Sequence, residues 1–324
     1  QNNSIVPNGV LDSTVWNIDG VVYTDSEPAH IFSTPGMKDI SLRLVSNFGC
    51  SSDTTFQIVV HPRPQSLFVA DNVCQDSVLV ITDQSVVSSP GQLVGSVWLL
   101  GDGTTLIDTV LGTYQYAEHG SYTITLAVET QHGCQDTAVQ DVVIHPAPEA
   151  DFSFSNICEN DTVLYIDQST VATGTIAAWE WQFGNGQQYT QQQPPSQSYP
   201  VDSIYTVQLT VTSDSGCVST YLDSIEVYPV PVAAFTFDSV CYPQPLQFTD
   251  LSDPNGTYPI TQWAWNFTDG QTSVAQSPQF LPPVYGAYGA TLTVTNEPGC
   301  KSDTTLGNAL SHPLPMADFE ANLQ

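Results

Sequence analysis

Trp181-Gln182-Phe183-Gly184-Asn185-Gly186, followed by Ser203-Ile204-Tyr205-Thr206-Val207-Gln208-Leu209, is the stretch that decides the fold. Trp179, Trp181 and Phe183 recur at spacing two, and beyond a loop Tyr205, Val207, Leu209 and Val211 do the same. Alternation of this kind, in β-branched and aromatic residues, places every second side chain on one buried face of a strand. The Gly-Asn-Gly that ends the first run is turn chemistry, because Gly supplies positive φ and an Asx side chain bonds its own backbone. Residues 150–155, 162–167 and 218–228 alternate in the same way, and no stretch carries a convincing helical period.

The unit recurs. Its tryptophan stands at Trp16, Trp98, Trp181 and Trp265, in steps of 82, 83 and 84 residues. A Gly-Cys pair follows each time, at Cys50, Cys134, Cys217 and Cys300, and an earlier cysteine precedes the tryptophan at Cys74, Cys158 and Cys241. A fixed period of this length fits a small, self-sufficient all-β domain rather than a solenoid repeat. Seven or so strands around a central tryptophan describe an immunoglobulin-like β-sandwich. The expected fold is therefore all-β, a tandem array of such sandwiches. Copy one is expected over 1–62 with its first strands missing, and copies two, three and four over 65–147, 149–230 and 232–314. Met316-Ala317-Asp318-Phe319-Glu320 matches the opening Glu149-Ala150-Asp151-Phe152-Ser153, so 316–324 is expected to be the first strand of a further repeat. The sequence reads as a window in a longer protein.

Two motifs carry a family resemblance. The first is Trp98-Leu99-Leu100-Gly101-Asp102-Gly103, Trp181-Gln182-Phe183-Gly184-Asn185-Gly186 and Trp265-Asn266-Phe267-Thr268-Asp269-Gly270, with a shortened Trp16-Asn17-Ile18-Asp19-Gly20. The second is Gly120-Ser121-Tyr122-Thr123-Ile124-Thr125-Leu126, Ser203-Ile204-Tyr205-Thr206-Val207-Gln208-Leu209 and Gly286-Ala287-Tyr288-Gly289-Ala290-Thr291-Leu292. Together they resemble the PKD domain, an immunoglobulin-like module. The repeated Cys…Gly-Cys pattern and short Pro-x-Pro joints resemble tandem modules of large secreted or surface proteins from Bacteroidota-type bacteria. The motif tyrosine suits the tyrosine corner of sandwiches, its hydroxyl satisfying a buried backbone group. In copy one Lys38 replaces it, which puts that corner in doubt.

The net charge of −29 arises from scarcity of cations: 33 acidic residues face only Lys38, Arg43, Arg63 and Lys301. Nucleic acid and anionic membranes need clustered Lys/Arg, so neither is an expected partner. No apolar run approaches the ~20 residues that span a bilayer. Trypsin-like proteases find almost no cleavage site; the composition fits salty or protease-rich extracellular surroundings, and equally a lineage-wide drift towards acidic composition.

Seven cysteines in an array without catalytic motifs point to an oxidising compartment, hence to secretion. Pairing within copies would join Cys74–Cys134, Cys158–Cys217 and Cys241–Cys300. Sandwich topology opposes it. The earlier cysteine lies at the C-terminal pole and the Gly-Cys at the N-terminal pole. A strand of about eight residues separates the poles by roughly 26 Å, whereas a disulfide tolerates at most about 7 Å between Cα atoms. Head-to-tail copies favour staggered bridges, Cys74–Cys217 and Cys158–Cys300, leaving Cys50, Cys134 and Cys241 for partners outside the window or in another chain. The joints His61-Pro62-Arg63-Pro64, His145-Pro146-Ala147-Pro148, Tyr228-Pro229-Val230-Pro231 and His312-Pro313-Leu314-Pro315 favour extended polyproline geometry and agree with stiffness.

No nucleophile–base arrangement, zinc spacing or phosphate loop occurs, so no enzyme activity and no cofactor are expected. Calcium is the one exception weighed: turn acids such as Asp102, Asp167 and Asp269, with Asp83 and Asp250, are weak candidate ligands without EF-hand-like spacing. Asp-Ser/Thr-aliphatic triplets such as Asp161-Thr162-Val163 resemble O-glycan acceptor sites, with strand-entry turn chemistry as the plain alternative. The favoured function is a structural repeat segment of an extracellular surface appendage or giant adhesin, a stiff rod that packs laterally. Its partners would be neighbouring domains of the same longer chain, like chains in a bundle, or a surface glycan or protein. The alternative is a run of carbohydrate-binding or spacer modules of a secreted hydrolase. That reading asks for exposed aromatics, and Trp179 and Trp263, which copy two replaces with Ser96, are its only candidates.

Overall fold

A computed structural model describes residues 2–108 and 111–320. The chain divides into two compact units, Gln1–Ala147 and Pro148–Gln324; the first holds copies one and two, the second copies three and four. Among the described residues there is no helix, and every regular element is a β-strand.

Copy three shows the plan. Ile176–Gln182 carries the motif tryptophan and pairs antiparallel with Ser203–Ser213, which pairs in turn with Val218–Tyr228. The short Gln188–Tyr189 closes one edge. At the other edge Ile157–Cys158 runs parallel to the last strand, with Cys158 opposite Tyr228. A facing layer is made of short pairs: Phe152–Ser153 with Ile166–Asp167, and Thr162–Val163 with Gln197–Ser198. The alternating run 162–167 is thus not one strand but two, with different partners. Copies two and four repeat both layers, from Val73–Cys74 to Gln135–His145 and from Val240–Cys241 to Lys301–His312.

Between the layers lies one core per copy. Trp98, Trp181 and Trp265 are at most 1% exposed. Each is surrounded by its copy's alternating positions, such as Phe152, Tyr165, Phe183, Val207, Leu209 and Val211 in copy three. Truncating such a tryptophan would cost about 3–5 kcal/mol. Copy one has a single four-stranded sheet, Val21–Tyr23, Leu11–Ile18, Gly36–Ser46 and Ser51–Val60. Among its described residues no second sheet covers Trp16, which stays half-buried.

The motif glycine has a packing reason. A Cβ on Gly101 would sit 2.8 Å from the Thr123 backbone nitrogen, and one on Gly184 2.7 Å from the Thr206 oxygen. Copy four carries Thr268 there and places Gly289 opposite, so the pair keeps one member without a side chain. The motif tyrosines form the expected corners, Tyr122, Tyr205 and Tyr288 donating to the carbonyls of Glu118, Val201 and Val284. These carbonyls lie in loops near the surface; the buried carbonyls of Leu100 and Phe183 are served by Tyr116 and Tyr199 instead. In copy one Lys38 takes over the corner, its Nζ reaching Thr34 Oγ1 at 2.8 Å and Asp19 Oδ2 at 3.0 Å.

Residues 313–320 form no strand. In copies three and four the equivalent segment is held by a second strand, as in Phe235 opposite Asp250. Residues 321–324 of that expected strand lie outside the described residues.

Candidate functional site at the domain joints

The cysteines are held by a repeated backbone cradle. Cys158 lies opposite Tyr228 on the last strand, Glu159 N–H donates to the Tyr228 carbonyl at 2.9 Å, and Asp161 N–H to the Cys158 carbonyl at 3.1 Å. Cys241 repeats this against His312, with Tyr242 N–H to His312 O at 2.8 Å. Cys74 repeats it against His145, with Gln75 N–H to His145 O at 2.7 Å. The parallel pairing therefore fixes each earlier cysteine beside the joint that follows its own copy.

The Gly-Cys cysteines have a second cradle at the opposite pole. Asn296 N–H donates to the Cys300 carbonyl, while Cys300 N–H donates back to Asn296 Oδ1 at 2.8 Å. Ser213 and Thr130 make the same reciprocal pair with Cys217 and Cys134 through their hydroxyls. The final strand Val218–Tyr228 is 11 residues long, longer than the eight assumed from sequence. Cys217 and Cys158 thus stand at its two ends, roughly 33 Å apart.

Cys158 and Cys300 form a disulfide with Cα atoms 5.7 Å apart, across 142 residues of sequence. It joins copy three to copy four, inside the second unit. Cys74 and Cys217 are also disulfide-bonded cysteines, whereas Cys50, Cys134 and Cys241 carry free thiols. Around the Cys158–Cys300 bond, side chains of copy four grip the joint backbone. Asn296 Nδ2 donates to Pro229 O at 2.8 Å and Asn255 Nδ2 to Val230 O at 3.1 Å. From copy three, Glu159 Oε2 accepts from Val230 N–H at 3.3 Å. The Tyr258 hydroxyl donates to Glu226 and its ring meets Tyr228 edge-on, centroids 5.2 Å apart. The carboxylate beside it pushes the Tyr258 hydroxyl up to about 12.

Inside the first unit, the joint between copies one and two is built differently. His61 stacks on His132 with ring centroids 3.5 Å apart and planes 16° from parallel. Pro62 and Pro64 are buried, as are Pro229 and Pro231.

The candidate calcium ligands are engaged by donors of their own loops. Asp102 accepts from Thr104 N–H at 2.9 Å and from the Tyr114 hydroxyl at 2.6 Å. Partial burial works to raise its pKa, but these hydrogen bonds outweigh it and hold the carboxyl below its usual range. Asp269 accepts from both nitrogens of Gln271. Asp167 Oδ1 caps Ser169 N–H, while its Oδ2 takes the Trp179 indole N–H at 2.8 Å and Gln192 Nε2 at 3.1 Å. Asp250 does the same with Ser252, Trp263 and Gln276. Among the described residues, no three His, Cys, Asp or Glu side chains converge in a metal-binding group. Trp179 and Trp263 are half-buried against their cores, so they do not form the free aromatic platform that a carbohydrate-binding module would need. The recurring Asp-x-Ser turn that anchors them (Asp83-Gln84-Ser85, Asp167-Gln168-Ser169, Asp250-Leu251-Ser252) was the sequence signal for this arrangement.

The chain is similar to several known proteins. A segment of 144 residues, 44% of the chain, is 28% identical to the pre-pro-metalloprotease PrtV of Vibrio cholerae serotype O1, and the match spans 15% of that protein. Among solved structures, the PKD1 domain of V. cholerae PrtV is 37% identical, covering 25% of this chain and 96% of that domain, with a TM-score of 0.23. The PKD1 domain of Vibrio anguillarum Epp is 34% identical over 25% of this chain and 93% of its own, with a TM-score of 0.23. The family model of the PKD domain matches three consecutive stretches, residues 59–144, 145–227 and 228–308. With most of its length accounted for in this way, the chain belongs to the PKD domain family.

Proposed function

We propose that this chain is a non-catalytic structural segment of an extracellular surface appendage or giant adhesin, in which tandem PKD domains give reach and stiffness. The observation that carries this reading is the joint between copies three and four. There a disulfide runs beside the main chain, and Asn296 and Asn255 hydrogen-bond the Pro-x-Pro backbone. Two covalent connections between neighbours leave little freedom to hinge. Inter-domain motion is otherwise the default for small polar interfaces. Secretion fits the oxidised cysteines, since cytosolic thiols stay reduced.

A second reading, spacer modules of a secreted hydrolase, is favoured by the similarity to a segment of PrtV. The gene around this segment separates the two: many further repeats support the appendage, one adjoining catalytic domain the hydrolase. Stiffness is tested by small-angle scattering of the intact chain and of a Cys158→Ala/Cys300→Ala variant. The expected result is a maximum dimension with a narrow distribution that broadens in the variant. Indistinguishable profiles would contradict the role of the latch.

A further inference from the structure

Copy two carries a cleft where its sister copies carry an indole. In copies three and four the Asp-x-Ser turn is completed by a tryptophan: Trp179 donates to Asp167 Oδ2 at 2.8 Å and Trp263 to Asp250 Oδ2 at 2.7 Å. Trp179 lies opposite Val211 on the neighbouring strand, and Trp263 opposite Val294. Copy two keeps the frame. Asp83 Oδ1 accepts from Ser85 N–H at 2.8 Å, as Asp167 and Asp250 do from Ser169 and Ser252. Ser85 Oγ accepts from Leu67 N–H at 3.1 Å, matching Ser169 with Asp151 and Ser252 with Ala234. The residue opposite Val128, however, is Ser96.

The space is open. A cleft of about 220 Å³ is lined by Asp83, Ser96, Val128, Leu93, Val94, Gly95 and Asp108. Three of these, Asp83, Ser96 and Val128, stand where copies three and four hold the aspartate, the indole and its cross-strand neighbour. Asp108 sits at the rim, where its Oδ1 accepts from Ser96 N–H at 3.2 Å. The apolar wall of Leu93, Val94 and Val128 suits a flat ring, and the carboxylates suit an N–H donor on its edge.

We propose that this cleft is a binding site for an indolyl group, a flat aromatic carrying one N–H donor, supplied by a free indole or by a tryptophan side chain of a partner. The same aspartate position already receives an indole N–H twice within this chain, so the ligand class is read from the molecule itself. Asp83 Oδ2 would accept the N–H, and Val128 and Leu93 would cover the ring. This site is independent of the joints and of the structural role proposed above.

The test is a titration of the full chain with indole and, separately, with N-acetyltryptophanamide, followed by amide chemical shifts. Saturable shifts at Ser96, Asp83 and Val128 are expected, with a Kd on the order of 1 mM for so small a ligand. Ser96→Trp, which fills the cleft from within, should weaken binding at least tenfold, and Asp83→Asn should weaken it severalfold. Val139→Thr, at an exposed position outside the cleft, should leave it unchanged and serves as the variant that keeps the fold. Binding of indole alone marks a small-molecule site, and binding of the amide marks a site open to a tryptophan side chain; either supports the proposal. Absence of saturable shifts with both probes overturns it, as does undiminished binding by a folded Ser96→Trp variant.

Discussion

The first and third joints of the array begin from nearly the same words, His61-Pro62-Arg63-Pro64 and Tyr228-Pro229-Val230-Pro231, and are secured by different chemistry. In both, the two prolines are buried. In both, a glycine of the following copy lies against the first proline: a Cβ on Gly91 would come 2.8 Å from Pro62 Cγ, and one on Gly256 2.8 Å from Pro229 Cγ. The first joint adds a stack of two imidazoles. The third adds a disulfide, two asparagine hydrogen bonds to the joint backbone, and the Tyr258–Glu226 pair. Cys134, which occupies in copy two the position of Cys300 in copy four, is free. The lesson is that Pro-x-Pro sets the path of the chain, while side chains on the facing poles decide how firmly a joint is held.

The disulfide should show the largest difference. Removing it in Cys158→Ala/Cys300→Ala frees a loop of 142 residues, and loop-closure arguments put the loss at about 2–5 kcal/mol. It would be read as a lower guanidinium midpoint for the second unit, whereas Cys134→Ala should leave the first unit within about 0.5 kcal/mol of the parent. Asn296 comes next. It is 1% exposed and bonds both the Pro229 carbonyl and the Cys300 N–H, so Asn296→Ala strands two buried groups and should cost about 2–3 kcal/mol. Thr130, its counterpart in copy two, offers Cys134 a single hydroxyl bond, and Thr130→Val should cost about 1 kcal/mol.

Smaller effects refine the contrast. Gly256 has φ +154°, outside ordinary side-chain territory, so Gly256→Ala should cost about 2 kcal/mol in strain. Gly91→Ala, without a positive φ but crowding Val87 Cγ2 at 2.7 Å, Pro62 Cγ at 2.8 Å and the Ser88 carbonyl at 3.1 Å, should cost about 1–2 kcal/mol. His132→Ala removes the ring stack and should lose about 0.5–1.5 kcal/mol. That loss should appear in faster proteolysis at the first joint rather than in a lower midpoint for copy two; a chymotrypsin-like protease at neutral pH suits the assay because Lys and Arg are so few. The smallest effect is alkaline. The neutral Tyr258 hydroxyl is favoured by Glu226, raising its pKa from 10.0 to about 12. Its contribution is complete below pH 10 and fades as pH rises towards 12. A Tyr258→Phe variant should lack that part of the alkaline transition.

Much of this was legible beforehand for physical reasons. Period-two alternation around Trp181 and Tyr205 reports burial directly, so sandwich strands and core followed from local pattern. The tyrosine corners at Tyr122, Tyr205 and Tyr288 followed from position near a strand start. What stayed hidden depended on groups distant in sequence. Nothing local says that Ile157-Cys158 runs parallel beside Tyr228, 70 residues on. Lys38 taking the corner through Thr34 requires knowing the loop between them. Trp179 and Trp263 resembled exposed extras because their acceptors, Asp167 and Asp250, precede them by 12 and 13 residues on another layer. The joint grip of Asn296, Asn255 and Tyr258 is spread over loops whose poles meet only in the folded tandem.

Non-reducing peptide mapping of the intact chain tests the covalent joint most directly, with pepsin at acid pH to suppress thiol exchange. The account predicts a cross-linked peptide pair containing Cys158 and Cys300, with Cys134 and Cys241 recovered as thiols. A pair containing Cys158 and Cys217 would contradict it, because those two cysteines stand at opposite ends of one strand.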